Sequence, residues 1–193
     1  MDKAELRREL LNLLLSIPTE QRNEKSRKAC RNLVSLEQFQ DASTVMMFVS
    51  LPHEVDTSEA ILHAWQLGKT VAVPKVSWQQ RHMIAVEINS LETGFSTSSS
   101  GLRNPIAGVP VPFADIDLVV TPALAFDKKG NRLGRGGCYY DRFFANAELK
   151  ATRCGFGFAE QLIDSIPTAD HDEAVDILVT DEQVTYFNNQ KGV

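Results

Sequence analysis

Between Asp117 and Phe144 the chain reads DLVVTPALAFDKKGNRLGRGGCYYDRFF, and Gly134-Arg135-Gly136-Gly137 stands between an apolar run and an aromatic, charged segment. Glycine has no Cβ, so its backbone can approach an anion closely and take φ > 0 where a turn needs it. Bare N–H groups in such a turn, followed by a helix, make a concave donor surface for phosphate or carboxylate. Arg135 adds a planar guanidinium suited to the same anions. Asp141, four residues past Gly137, stands where a hard cation carried by phosphates takes an oxygen ligand. Arg132 precedes the turn, and Lys3 and Arg7 are spaced to project from one side of a helix. Each feature also has a plainer reading: a tight surface turn, and solvated charges on an amphipathic helix. The turn matches neither G-x-x-x-x-G-K-[ST] nor G-x-G-x-x-G.

The elements that must position these residues follow from periodicity. Residues 118–120 read as a buried strand stopped near Pro122, and residues 139–144 as the start of a helix. Residues 2–16 form an amphipathic helix with Leu6, Leu10, Leu13 and Leu14 on one face. Pro18 ends it, and a more polar helix runs over 19–34. Residues 44–50 form a strand, and Asp56-Thr57-Ser58-Glu59 has the form of a capping box opening a helix that stops at Gly68. A further strand over 70–74 completes a strand–helix–strand unit, hence a parallel crossover in an α/β sheet. Glu54 then falls beyond the carboxyl end of a strand, where such sheets bind ligands.

Later segments are less definite. Residues 82–88 and 152–158 read as strands, 160–163 as a helical turn, and 177–180 as the last core strand. Residues 91–112, rich in Ser, Gly and Pro, read as a long loop of the kind that is functional or mobile. Trp65 and Trp78 are expected to be a core and a loop aromatic. Asp170-His171-Asp172 is a solvated turn or part of a cation site. Magnesium prefers oxygen, so His171 is not expected as a ligand.

Composition narrows the function classes. At 193 residues, 43% hydrophobic and 23% charged, the chain suits one ordinary α/β domain. Its net charge of −5 carries no basic stripe, which argues against a nucleic-acid surface. No segment approaches the roughly 18 apolar residues of a membrane span. Three widely spaced cysteines give neither a disulfide framework nor a zinc pattern, so a reducing compartment, the cytoplasm, is expected. H-E-x-x-H and C-x-x-C are missing, and no Ser-His-Asp arrangement is legible. Phosphate handling is the chemistry these residues describe best.

FDKKGNRLGRGGCYYDR, with Lys3, Arg7, LPHEVDT at 51–57 and PTADHDEAVD at 167–176, resembles the 5-formyltetrahydrofolate cyclo-ligases, or 5,10-methenyltetrahydrofolate synthetases. The similarity follows their order and spacing over nearly the whole chain. It implies a three-layer αβα fold with a mostly parallel central sheet, of the kind found in sugar-phosphate isomerases and CoA transferases, as one domain over 1–193. It also implies an ATP- and Mg2+-dependent ligase of folate one-carbon metabolism acting on 5-formyltetrahydrofolate, expected as a monomer.

By that resemblance Lys3, Arg7, Arg132, Gly134, Arg135, Gly136, Gly137, Cys138, Tyr139 and Tyr140 bind the nucleotide. Val49, Glu54 and residues Arg135, Gly136, Gly137, Cys138 and Tyr139 meet the folate. Arg135 and Tyr139 are the catalytic candidates, Asp141 and Asp172 the metal ligands, and Asp176 orients a strand. Two departures stand out. Cys138 occupies a place where the family usually has glycine. The segment Gly101-Leu102-Arg103-Asn104-Pro105 lacks the family's usual Trp. A CoA transferase or isomerase on a similar scaffold, and a non-catalytic nucleotide-binding module, are the competing expectations.

Overall fold

The computed structural model describes residues 2–187. Helix α1 (Lys3–Ser16) opens with a complete capping box: Asp2 accepts from the Ala4 and Glu5 N–H groups, and Glu5 accepts from the Asp2 N–H. Pro18 separates it from α2 (Thr19–Val34), and α3 (Glu37–Asp41) follows. The buried stripe of α1 runs through Leu10 and Leu14, while Leu13 is 41% exposed. An i, i+4 row drifts around the helix, which leaves Leu13 at the edge of the face expected to hold it.

The chain then forms β1 (Thr44–Met47), α4 (Ser58–Gln66), β2 (Thr70–Ser77), β3 (His82–Glu87), β4 (Phe95–Thr97) and β5 (Arg103–Pro105). After these come β6 (Leu118–Thr121), β7 (Ala125–Asp127), β8 (Arg132–Leu133), α5 (Tyr139–Phe144), β9 (Thr152–Phe156), β10 (Leu162–Ile163), β11 (Ile177–Val179) and β12 (Val184–Tyr186). The main sheet has seven strands in the order β12-β11-β9-β6-β1-β2-β3. Its five inner strands are parallel, and β3 and β12 close the two edges antiparallel.

Period-two alternation assigns the two faces. Val45, Met47, Val71, Val73, Leu118 and Val120 pack into one core with α1, α2, α3 and α4. Met46, Ala72 and Val119 turn the other way, against Phe143 and Phe144 of α5. The result is a three-layer αβα sandwich with one thick helical layer and one thin one. β1 leads to β2 on one side while β6 leads to β9 on the other. Their neighbouring carboxyl ends therefore form the switch point where open α/β sheets hold ligands.

Several local expectations are corrected. Thr57 makes no side-chain cap on α4; its hydroxyl donates inward to the Phe48 carbonyl, and Asp56 accepts from the Ser58 N–H instead. Residues 91–112 carry the β4–β5 hairpin rather than irregular loop alone. Residues 160–163 split into a 3-10 turn and β10, which pairs parallel with β7. Residues 127–131 form the turn of the β7–β8 hairpin, organised by buried Asp127, which accepts from the N–H groups of Lys129, Asn131 and Ile166.

Candidate active site

At the switch point lies a cavity of about 590 Å³, and every site residue expected from the sequence borders it. Lys3 and Arg7 come from α1. Val49 and Glu54 come from the loop after β1, Arg132 from β8, and residues 134–141 from the turn and α5. Asp172 comes from the loop before β11. Side chains far apart in sequence converge because β1 and β6 are neighbours and α1 brings Lys3 and Arg7 to the same cavity.

The glycine turn is held from behind. Arg7 donates through Nε to the Gly134 carbonyl at 2.8 Å, and Arg142 donates to the Gly137 carbonyl at 2.7 Å. With both carbonyls tied back, the N–H groups of Arg135, Gly136, Gly137 and Cys138 have no acceptor among the described residues. Gly136 has φ +104°, and a Cβ on Gly137 would stand 2.6 Å from the Tyr139 ring. Both glycines are therefore required by shape. Cys138 adopts φ 50°, ψ 30° immediately before α5. This is the left-handed conformation in which a Cβ costs about 1 kcal/mol or more, so the departure from glycine falls on a position that favours glycine.

Three ion pairs ring the cavity. Arg132, buried, donates to Asp141 at 2.7 Å, and its guanidinium lies over the rings of Tyr140 and Phe144. Lys3 pairs with Asp172, which also accepts from the Ala169 N–H. Arg135 pairs with Glu54 at 3.2 Å and touches His53 Nε2. Burial raises the Glu54 carboxyl above its ordinary value; the Leu51 N–H and Arg135 offset this only in part. Burial also lowers His53, and Arg135 and Arg22 lower it further. For Asp172 burial acts upward, but Lys3 and the Ala169 N–H together hold the carboxyl below its ordinary value. The Tyr140 hydroxyl is buried, and burial pushes its phenol up, offset only in part by Arg132 and Thr121.

The donor set fits a magnesium ion carried by a nucleotide. Among the described residues no three His, Cys, Asp or Glu side chains converge into a metal cage. Magnesium takes one or two protein carboxylates and completes its shell with water and phosphate oxygens. Asp141 is hydrogen-bonded through Oδ1, and Asp172 through Oδ2. Asp141 keeps Oδ2 for a cation, and among the described residues Asp172 Oδ1 faces only the His171 imidazole, at 3.8 Å.

Sequence reasoning missed the far wall. Pro74, Val76 and Trp78 line the cavity from β2 and the turn after it. Their two-residue spacing is the strand signal that could have found them. Asn104 on β5 bonds both the N–H and the carbonyl of Val76, pinning the hairpin of 91–112 beside that wall. Asp176 accepts from the Arg153 N–H at 2.8 Å and orients β9.

Comparison with known proteins gives a consistent result. The family model described as "5-formyltetrahydrofolate cyclo-ligase family" matches residues 1–181. A 5-formyltetrahydrofolate cyclo-ligase of Mus musculus is 30% identical over 185 residues, covering 90% of this chain and 91% of the mouse protein. That of Escherichia coli (strain K12) is 27% identical over 173 residues, covering 88% and 94%. The NMR structure of Aquifex aeolicus 5,10-methenyltetrahydrofolate synthetase superposes with a TM-score of 0.84 at 28% identity, covering 100% of this chain and 96% of that one. The corresponding Mycoplasma pneumoniae structure, 20% identical with a TM-score of 0.77, covers 94% and 99% and shares the fold.

Proposed function

Since this chain belongs to the 5-formyltetrahydrofolate cyclo-ligase family, we propose that it uses ATP and Mg2+ to convert 5-formyltetrahydrofolate to 5,10-methenyltetrahydrofolate, ADP and phosphate. The formyl oxygen takes the γ-phosphoryl group, N10 closes on the activated carbon, and phosphate departs. The observation that carries this reading is one cavity joining an open-amide turn ringed by cations to a buried carboxylate with apolar walls.

Phosphoryl transfer asks a protein for position and charge neutralisation more than covalent chemistry. Lys3 and Arg7 hold the polyphosphate from the α1 side, and the N–H groups of residues 135–138 hold it from the turn. Arg135 follows the charge that develops on the transferred oxygens. Arg132, paired with Asp141, lines the same cavity and binds the nucleotide from beside it. Asp141 and Asp172 would hold magnesium, which supplies neutralisation of phosphate charge when bound.

On the folate side, Glu54 accepts hydrogen bonds from the amino and ring N–H groups of the pterin. Arg135 stays beside it at 3.2 Å while its own N–H belongs to the turn, so one residue joins both halves of the site. Val49 and the Tyr139 ring give apolar walls, and the Tyr139 hydroxyl is a donor near the reacting atoms.

We propose a monomer as the working unit. Three free cysteines support a reducing compartment, and we propose the cytoplasm. A CoA transferase or sugar-phosphate isomerase on this scaffold consumes no ATP. The test is methenyl-folate absorbance with 5-formyltetrahydrofolate, followed with and without ATP and Mg2+. Signal only with both, with one ADP per product, is expected; product without ATP overturns the proposal.

A further inference from the structure

Trp78 directly follows β2, on the face that Pro74 and Val76 turn to the cavity, and it is 56% exposed. Its ring stands perpendicular to that of Tyr139, at 88° with centroids 5.7 Å apart. Tyr139 is braced in turn by the Arg142 guanidinium, 5.2 Å from its ring centroid. An edge contact fixes the indole without covering both of its faces. A large aromatic surface is thus held rigid and left open toward the cavity, an arrangement that gains free energy when a flat ring covers it. Trp65, by contrast, does not border the cavity, and its Nε1 is buried without a partner.

Depth decides which ring arrives there. Glu54 is buried at the inner end, while Trp78 stands at the rim of the same cavity. A ligand whose N–H-bearing heterocycle seats on Glu54 presents its next aromatic group farther out. Lys3 and Arg7, proposed for phosphate, and Asp172, proposed for its metal, come from α1 and the loop before β11, whereas Trp78 lines the cavity with Met83, Leu102 and Asn104 of the β2–β3 and β4–β5 hairpins.

We infer that Trp78 is a substrate-positioning residue whose indole stacks on the aminobenzoyl ring of the folate, with Tyr139 completing the corner. This inference rests on the proposed folate reaction. Trp78→Ala is expected to raise KM for 5-formyltetrahydrofolate about tenfold, the size of a lost aromatic stack. It should leave kcat within about threefold and KM for ATP unchanged, and Trp78→Phe should recover most of the loss. In Trp65→Phe, where Trp78 is the sole indole, saturating 5-formyltetrahydrofolate should shield the fluorescence from acrylamide. A tetrahydropterin lacking the aminobenzoylglutamate should not.

An unchanged folate KM, a rise confined to ATP, or equal shielding by the bare pterin overturns the inference while wild-type turnover leaves the reaction standing. Failure of the wild-type protein to turn over 5-formyltetrahydrofolate overturns the reaction itself. The shielding measurement retains native Trp78, so it decides the matter even where Trp78→Ala does not fold.

Discussion

Lys3, in the first turn of α1, forms an ion pair with Asp172, 169 positions later, across the mouth of the cavity. The pair ties the start of the chain to the loop before β11. It also neutralises one of the two carboxylates proposed for magnesium, so a magnesium nucleotide that draws Lys3 to its phosphates frees Asp172 at the same time. Lys3→Met is expected to weaken ATP binding by about tenfold, as loss of a charged hydrogen bond does.

The same pair has a pH signature. The Asp172 carboxyl lies below its ordinary 3.8 in the folded protein, so its stabilising effect is present above that value and lost as pH falls through the folded one. The difference in Tm between wild type and Lys3→Met should be constant above about pH 5 and shrink below about pH 3.8. A difference that instead grows on acidification contradicts the assignment.

Arg135 lies in the turn proposed for the phosphates and its side chain pairs with Glu54, so its loss should appear in the chemical step. Arg135→Ala is expected to lower kcat by about 10²–10³ with a smaller effect on Tm, since the side chain is 44% exposed. Steady-state kinetics beside a thermal melt separates the two effects. A loss below tenfold removes Arg135 from the catalytic role.

Glu54 trades stability for function. Burial raises its carboxyl above the ordinary 4.5, and such a group stabilises the fold only while protonated, with the benefit lost as pH rises through the folded value. Glu54→Gln keeps an acceptor for the Leu51 N–H without the charge. The variant should therefore gain Tm relative to wild type as pH rises from about 4.5, while losing folate binding. A Tm difference that stays flat or moves against the variant over that range contradicts this.

Cys138 carries backbone strain that glycine would relieve. Cys138→Gly is expected to raise Tm by about 1–4 °C after the entropy of the more flexible unfolded chain is subtracted. Cys138→Ala keeps the Cβ and should show no gain. Cys138 is also the accessible thiol, because Cys30 and Cys154 are buried and burial pushes the Cys30 thiol up to about 12. Alkylation followed by peptide mapping should label Cys138 first and slow when ATP and folate are bound.

Most of the site was legible because its chemistry lies in short local strings. Gly134-Arg135-Gly136-Gly137 declares a close backbone approach, and the strand–helix–strand pattern places Glu54 at a strand's carboxyl end. What the sequence concealed depends on tertiary pairing. Strands β7, β8, β10 and β12 have two or three residues each, too few to display a period. The ion pairs Lys3–Asp172 and Arg132–Asp141 give no local signal, since nothing in a charged residue's neighbours names its distant partner. Trp78 was hidden for another reason. Its strand continues past Pro74, which sequence reasoning takes as a stop, although proline is tolerated where its missing N–H breaks no ladder bond.

The central claim is that the turn before α5 and the first helix close on one triphosphate. A crystal structure of the protein with a non-hydrolysable ATP analogue and Mg2+ tests it most directly. The account predicts phosphate oxygens on the N–H groups of residues 135–138, Lys3 and Arg7 turned onto them, and the metal on Asp141 and Asp172. A turn without phosphate, with Lys3 still paired to Asp172 and the nucleotide held elsewhere, would contradict it.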